Sequence, residues 1–444
     1  MSWPWPLPPG WEWAPFGMVA SVASQLVKPE HFPELPHVAP NHIESGSGRL
    51  LEIDSVANDG VTSPNHHFYP NQILYSKIRP YLAKVVHVDF EGLCSADMYP
   101  IETDLEPRFL KWWMLTREFT RRAAGEQART ILPKINRRAL ARLPVPVAPA
   151  GEQRRIVEIL EDHLSRLDAA QQLLAGTRRR SGALLNSALQ AGLHGRLVQD
   201  DLSEGSAREL AAACGPFAAS EGERVWPIPS TWAWVRLGEL FQVNVGATPT
   251  RSNSRLWAGD LPWVSSGEVA FNRISDTREH IEREAAGNPL TRIHPPGTVL
   301  LAMIGEGKTR GQAAILDVEA AHNQNCASIR VSDTRVPPEY IFGFLQERYV
   351  ETRRAGSGGQ QQALNKAAIE RFPVPIPPLG TQRRLVDAWA AAREATRRLG
   401  EDATRAAART DALRRAVLAA AFEGKLTGRH TDAEIIEEKA DGER

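Results

Sequence analysis

The chain has 444 residues, 42% of them hydrophobic and 24% charged, with 53 basic and 53 acidic side chains that cancel. That length fits two to four domains with substantial cores, and the lack of a run of about 18 apolar residues argues against a membrane-spanning helix. A neutral balance argues against a free-standing, non-specific nucleic-acid binder. Three scattered cysteines, Cys94, Cys214 and Cys326, fit neither a disulfide framework nor a cysteine zinc site. A reducing, cytoplasmic setting follows, and "MSWPWPLPPGWEW" carries no basic, apolar leader pattern.

The first half opens with "WPLPPGWEWAPFG", Trp5–Gly17. Short β-rich runs such as "NQILYSKI" follow, bounded by turn formers. "EPRFLKWWMLTREFTRRAAG" reads as helix starting after proline, with Trp112 and Trp113 in the core. Next comes "LPVPVAPAGEQRRI", Leu143–Ile156, where Pro144, Pro146 and Pro149 stiffen an extended strip. That strip sets the angle of a following helix, or is an edge strand closed by prolines.

From Glu152 to about Gly195 there is no proline. Apolar or small residues alternate by four and three at 156, 160, 163, 167, 170, 174, 177, 181, 184 and 188. That is a coiled-coil seam, with His163 a tolerated polar group in it. Arg178, Arg179 and Arg180 read as a solvated helix face. Gln199–Arg224 is a polar linker with a short helical stretch near Ala207–Cys214, and the tail after Gly428 is charged and loose.

The second half repeats this frame. Trp226–Gly238, "WPIPSTWAWVRLG", aligns on Trp5–Gly17 at an offset of 221. Phe372–Thr427 aligns on Leu143–Val198 at an offset of 229, without a gap. Gly151/Gly380, Gln153/Gln382, Arg154/Arg383, Arg155/Arg384 and Gly195/Gly424 all match, and Asn136 meets Asn365. Leu385, Trp389, Ala392, Thr396, Leu399, Ala403, Ala406, Thr410, Leu413 and Val417 form the second seam. The middles diverge, with weak echoes such as "NQILYSKI" against "GTVLLAMI" and "EPRFLKWWML" against "PPEYIFGFLQ". Fixed, repeated frames share a structural job; diverged middles perform different versions of one task. Two such helices pair antiparallel within one chain, which would set the two variable domains at opposite ends of a rod.

Catalytic motifs are not found. "GEGKTRG" mimics a phosphate loop, but Ala302 stands where its first glycine belongs. Glu306 and Lys308 with Asp260 or Asp276 mimic a metal nuclease, a pattern that arises by chance. A glycine-rich basic loop suits close approach to DNA instead: Gly305, Gly307 and Gly311 give access, while Lys308, Arg310 and Gln312 reach phosphates or base edges. Asn65-His66-His67 is no metal motif by itself, and no metal site is assigned.

The duplicated frame resembles the specificity subunit of type I restriction–modification enzymes. The residues that carry the resemblance are "LPPGWEW"/"IPSTWAW", "GATPTR", the two Pro-Val strips with Gly-x-Gln-Arg-Arg, and "LQAGLHGRLV"/"LAAAFEGKLT". The first half lacks a "GATP" stretch and has "YSKIRPYLAKV" in place of the glycine-rich loop. The resemblance implies an α+β fold with two pseudo-symmetric target-recognition domains separated by a long antiparallel two-helix coiled coil. The expected parts are a first recognition domain (1–150), a long helix (151–198), a linker (199–225), a second recognition domain (226–379), a second helix (380–427) and a tail (428–444). It further implies a non-catalytic reader of a split, asymmetric double-stranded DNA target. Two modification subunits and motor–nuclease restriction subunits would be its partners. S-adenosylmethionine, ATP and magnesium would belong to those partners. Candidate DNA contacts, chosen by side-chain chemistry, are Lys77, Arg79, Lys84, Ser95 and Asp97, then Thr248, Arg251, Lys308, Arg310, Gln312, Gln324 and Asn325. Candidate partner contacts are Gln153, Arg154, Arg155, Gln382, Arg383 and Arg384. A stand-alone nuclease and a coiled-coil scaffold without a DNA role are the competing readings.

Overall fold

The computed structural model describes residues 3–125, 133–207, 211–212, 217–219, 225–287, 292–305, 307–354 and 364–427. Glu306, Cys214 and the tail after Thr427 lie outside them.

Each Pro-Val strip is a strand, and its partner is the Trp-x-Trp segment that opens the same half. Glu12–Pro15 pairs antiparallel with Pro144–Val147, Trp13 opposite Pro146. Ala233–Arg236 pairs in the same way with Pro373–Ile376, Trp234 opposite Pro375. The two offsets found in the sequence thus meet in one ribbon register. Proline is tolerated because the strand period is two. Prolines at i and i+2 turn their missing N–H groups to the same outer edge, while Val145 and Val374 keep theirs toward the partner.

The matched asparagines have a local job. Asn136 Oδ1 accepts the Ala139 amide at 2.9 Å, and Asn365 Oδ1 accepts the Ala368 amide at 2.8 Å. Each caps the short helix that leads into its ribbon, Arg137–Leu140 or Lys366–Glu370.

The long helices are Ala150–Leu193 and Leu379–Phe422, 44 residues each. Each begins one residue before, and ends five residues short of, its expected span of 151–198 or 380–427. Their division differs from the expected domain scheme. The chain forms two compact units, Met1–Ala175 with Thr404–Arg444, and Gly176–Ala403. Each unit takes the start of one long helix and the end of the other. The first core combines Ile156, Leu160 and Leu164 with Val417, Leu418 and Phe422. The second combines Leu385 and Trp389 with Leu189 and Leu193. Within each unit the helices run antiparallel. Gln171 donates to Asp411 at 2.6 Å and Arg414 pairs with Asp168 in the first. Trp389 Nε1 donates to the Ala188 carbonyl at 3.0 Å and Thr396 to that of Ser181 at 3.3 Å in the second.

The seam holds at residues 156, 160, 181, 385, 389, 403, 410 and 417, which are buried. It fails at Leu184, Leu399 and Leu413; Leu184 is 60% exposed. Burial passes instead to Leu164 and Leu189. A helix of 3.6 residues per turn drifts by about 20° per heptad against a strict seven-residue repeat. Toward each end the partner is a sheet domain as well as a helix, so the buried face follows the domain. Arg178, Arg179 and Arg180 are exposed, as a solvated face requires.

The diverged middles keep a shared strand order. The first has Ala20–Val22, Met98–Thr103, Ile73–Ser76 and Val85–His87 in that order across one sheet. The second has Val243–Val245, Cys326–Ile329, Val299–Ala302 and Ala313–Leu316, with Asn272–Ile274 added at the edge. Each middle carries a smaller second sheet holding one parallel pair: His37–Val38 with Gly92–Cys94, and Leu261–Val264 with Ala321–His322. Trp113 is fully buried and donates to the Pro144 carbonyl at 2.9 Å; Trp112 is buried too. Both tryptophans are core. Val299–Ala302 and Ala313–Leu316 are antiparallel neighbours, so "GEGKTRG" is a hairpin connection and opens no phosphate-binding helix. Among the described residues no helix is long and apolar enough to cross a membrane.

Candidate nucleic-acid interface

In the first unit, the loop after Ile73–Ser76 and the turn after Gly92–Cys94 bring four of the five candidates together. Lys77 Nζ donates to the Ala96 carbonyl at 2.6 Å, and the Lys77 amide donates to the Asp97 carbonyl at 3.0 Å. The Ser95 hydroxyl accepts the Asp97 amide at 3.2 Å, and the Asp97 carboxylate pairs with Lys134 at 3.2 Å. Arg79 is exposed, and its amide is held by the Pro133 carbonyl at 2.8 Å. Arg79 and Ala83 flank the turn Pro80–Leu82 at φ 49° and 46°. A left-handed arginine before proline runs against local preference and costs about 1–3 kcal/mol.

Sequence reasoning missed two members of this cluster. Lys134 and Arg137 arrive from a distant segment, and Lys77 and Arg137 lie 5.5 and 5.8 Å from the Tyr99 ring centre. Burial, then the charges of Lys77 and Arg137, hold His66 below its usual range. Lys84 stands apart: its Nζ donates to the Pro40 carbonyl at 2.5 Å, so its ammonium is engaged within the fold.

In the second unit, Thr248 pairs with the exposed Gln324. Gly246 makes this approach possible, because a Cβ there would sit 2.0 Å from the His322 carbonyl oxygen. Arg251 lies 3.7 Å from the Trp257 ring centre and 5.2 Å from that of Trp263, and holds Glu279 with both terminal nitrogens. Neither tryptophan nor Glu279 was singled out in the sequence; an arginine followed by a Trp at i+6 is too loose a signal. Asn325 lies next to Gln324, its amide donating to Asn323 Oδ1 at 3.1 Å.

The glycine-rich loop is pinned to the helix Tyr349–Arg354. Tyr349 donates to the Lys308 carbonyl at 2.5 Å, Arg353 donates to that of Gly307, and Arg310 donates to the Arg353 carbonyl at 2.9 Å. Lys308 is exposed and Gln312 half-buried, whereas Arg310 serves loop geometry. The loop needs its glycines: Gly305 and Gly311 have φ of 140° and 85°.

The six partner candidates separate into three kinds. Gln153 Nε2 donates to the Ala148 carbonyl at 2.7 Å and its Oε1 accepts the Glu106 amide at 2.9 Å. Gln382 Nε2 donates to the Pro377 carbonyl at 2.8 Å, and the residue is 0% exposed. Both glutamines lock strip to helix, which corrects their expected role, since buried amides present no surface. Arg384 pairs with Glu204 of the linker. Arg154, Arg155 and Arg383 are exposed.

Cys94 and Cys326 are buried, and burial pushes both thiols up, so neither is a ready nucleophile. What both units present is loop-borne cations, amides and hydroxyls on rigid sheets, the chemistry that contacts phosphates and base edges.

Residues 229–390 match the type I restriction modification DNA specificity domain. The second half of the chain is thus similar to this family over those residues. Over 192 residues the chain is 44% identical to the type I restriction enzyme EcoDI specificity subunit of Escherichia coli, covering 43% of each chain. The chain thus spans less than half of that relative's length in the match. A chain from a structure of type I R-M complex assembly and conformational transition superposes over 95% of this chain and 100% of its own, with TM-score 0.73 and 21% identity. The HsdS subunit from Thermoanaerobacter tengcongensis covers 95% and 99%, with TM-score 0.58 and 21% identity. At that identity these two likenesses show the fold.

Proposed function

We propose that this chain is the DNA-reading subunit of a type I restriction–modification complex. The observation that carries the reading is the repeated ribbon, cap and long helix around two middles that share a strand order but present different loops. Two unlike readers on one frame suit a split, asymmetric target. In this reading the two units are related by pseudo-two-fold symmetry, and helix length sets the gap between half-sites, as subunit spacing does in dimeric DNA binders. Arg79, Lys134 and Arg137 face one half-site, with the Lys77 ammonium held by the Ala96 carbonyl behind them; Thr248, Arg251, Lys308, Gln324 and Asn325 face the other. Arg154, Arg155 and Arg383 are offered to two modification subunits, and motor–nuclease subunits complete the assembly. The chain itself is not catalytic; S-adenosylmethionine, ATP and magnesium act in its partners, in the cytoplasm.

The test is to express the chain with its cognate modification subunit in an unmethylated host and map methyladenine. A two-part motif with a fixed gap is expected. A contiguous palindrome, or no new methylation, overturns the reading. The stand-alone nuclease draws no support. Asp260 lies 3.9 Å from Arg283 and Asp276 lies 2.9 Å from His280, so each carboxylate already has a basic neighbour. The scaffold reading predicts no duplex binding at low salt, even with partners present.

A further inference from the structure

In the first unit, Pro40–His42 forms one tight turn after the strand His37–Val38. The turn returns His42 against His37, with ring centres 5.8 Å apart and ring planes at 87°. Asp59 comes from the turn after Ser55, whose carbonyl accepts the Asp59 amide at 3.0 Å. One metal-ligating atom from each of His37, His42 and Asp59 lies within 4.8 Å of the other two. His37 is buried at 7% exposure, and its Nε2 has no hydrogen-bond partner, while its Nδ1 lies 2.7 Å from Asp59 Oδ2. The ring nitrogen that faces Asp59 is Nδ1, so a cation in this group would take the place of that hydrogen bond.

We propose that His37, His42 and Asp59 bind a divalent transition-metal ion of the zinc type. Two imidazoles and a carboxylate favour zinc or nickel over magnesium, which prefers oxygen donors. Ligand atoms about 2.0–2.2 Å from zinc stand roughly 3.2–3.6 Å apart, so the 2.7 Å between His37 Nδ1 and Asp59 Oδ2 must open while the wider separations, within 4.8 Å, close. Asp59 is exposed and His42 half-buried, so both can move without disturbing the core. His42 Nδ1 lies 3.2 Å from both the His37 carbonyl and the Ala39 amide. A tautomer that donates to that carbonyl frees Nε2 for a metal, the usual support of a ligating histidine, and gives up the bond that Nδ1 accepts from the Ala39 amide. The ion ties the turn at Asp59 to the strand at His37. Lys84 reaches the same turn through the Pro40 carbonyl. The inference is independent of the DNA-reading proposal.

The test uses the full chain, stripped with a chelator and titrated calorimetrically with zinc chloride, with magnesium chloride as the contrast. One zinc per chain is expected, with no magnesium uptake at the same concentrations. His42→Ala and Asp59→Asn, each checked for fold by circular dichroism, should each weaken zinc affinity by about tenfold or more. Cobalt(II) added to the unaltered chain should give the intense visible bands of a low-coordinate nitrogen-bearing site, a readout that needs no variant. No stoichiometric zinc uptake, uptake unchanged in both variants, or a cobalt spectrum like that of the aqueous ion overturns the proposal.

Discussion

The two joints between strip and helix share a plan and differ in their fillings. At the first, Leu160 and Ala421 are buried at 0% exposure. At the second, the positions 229 residues away from these carry Trp389 and Gly192. A Cβ on Gly192 would lie 2.6 Å from Trp389 Nε1, and one on Gly343 would lie 2.7 Å from the same ring. The larger side chain thus comes with smaller neighbours. A duplicated core can therefore drift in its parts while keeping its volume, because packing density is what a close-packed interior conserves. The linker contacts differ in the same manner. Gly151 has open space around it, whereas a Cβ on Gly380 would lie 2.1 Å from Glu204 Oε1. The ends agree: Gly195 lies against Pro229 and Gly424 against Pro8, each glycine at positive φ near 70°. Each half's opening proline is met by the helix end of the other half.

The largest effect should come from breaking the second filling. Trp389→Leu should cost about 3–5 kcal/mol by opening a cavity and releasing its hydrogen bond to Ala188, with Leu160→Ala the milder counterpart at about 2–5 kcal/mol. Gly192→Ala alone should destabilise as well, yet Trp389→Leu with Gly192→Ala should recover part of the loss. A double-mutant cycle by denaturant unfolding measures this coupling, and strict additivity would contradict the volume argument.

Acid should separate the units next. In the second unit, burial pushes His294 down to about 3 and His322 down to about 4. Unfolded histidine takes up its proton near pH 6.5, so as pH falls below that value the unfolded chain binds protons that the folded chain refuses. Stability is complete above about pH 6.5 and falls toward the folded values, by up to roughly 1.4 kcal/mol per pH unit for each histidine. His66 and His87 of the first unit are also held down, with more solvent around them. Hydrogen exchange should show protection of Val299–Ala302 and Cys326–Ile329 falling faster than that of Ile73–Ser76 between about pH 7.5 and about pH 5. Equal loss in both units would contradict this.

Smaller effects distinguish the linker contacts. Gly380→Ala should displace the Glu204 carboxylate from Arg384 and Thr381, costing about 1 kcal/mol. Gly151→Ala should be neutral or stabilising by up to about 1 kcal/mol, since alanine favours a helix over glycine. Thermal melting of the pair decides it. Smallest in stability terms, Arg79→Ala should leave the fold unchanged but lower the salt slope of DNA binding by about one. Lys84→Met should instead leave that slope unchanged, because its ammonium is engaged with Pro40.

Much of the frame was legible in the sequence because its signals are local. Proline alternation and the proline-free heptads each dictate backbone within a few residues, whereas Asn136 and Asn365 stood out only as a match and were seen as caps in the structure. The candidate site was legible only by residue type. Arg79 and Arg251 are exposed, but Lys84, Arg310, Gln153 and Gln382 serve internal bonds, and exposure is a property of neighbours distant in sequence. Lys134 and Arg137 reach Asp97 and the Tyr99 ring, beside Lys77, from a segment distant in sequence, and Asp59 reaches His37 through a turn, neighbourhoods that residue type along the chain does not record.

By itself, then, the sequence determined that there are two copies of one frame, where each Pro-Val strip and long helix begins, and which middles diverged; that each strip pairs with its Trp-x-Trp segment came from the structure. Tertiary structure alone decided that each unit uses the end of the other half's helix, because the apolar end of each helix must be buried and the nearest uncovered core belongs to the other half. It also decided which of two cations faces outward: Arg79 is exposed, and the Lys84 ammonium donates to the Pro40 carbonyl, because each is placed by neighbours distant in sequence.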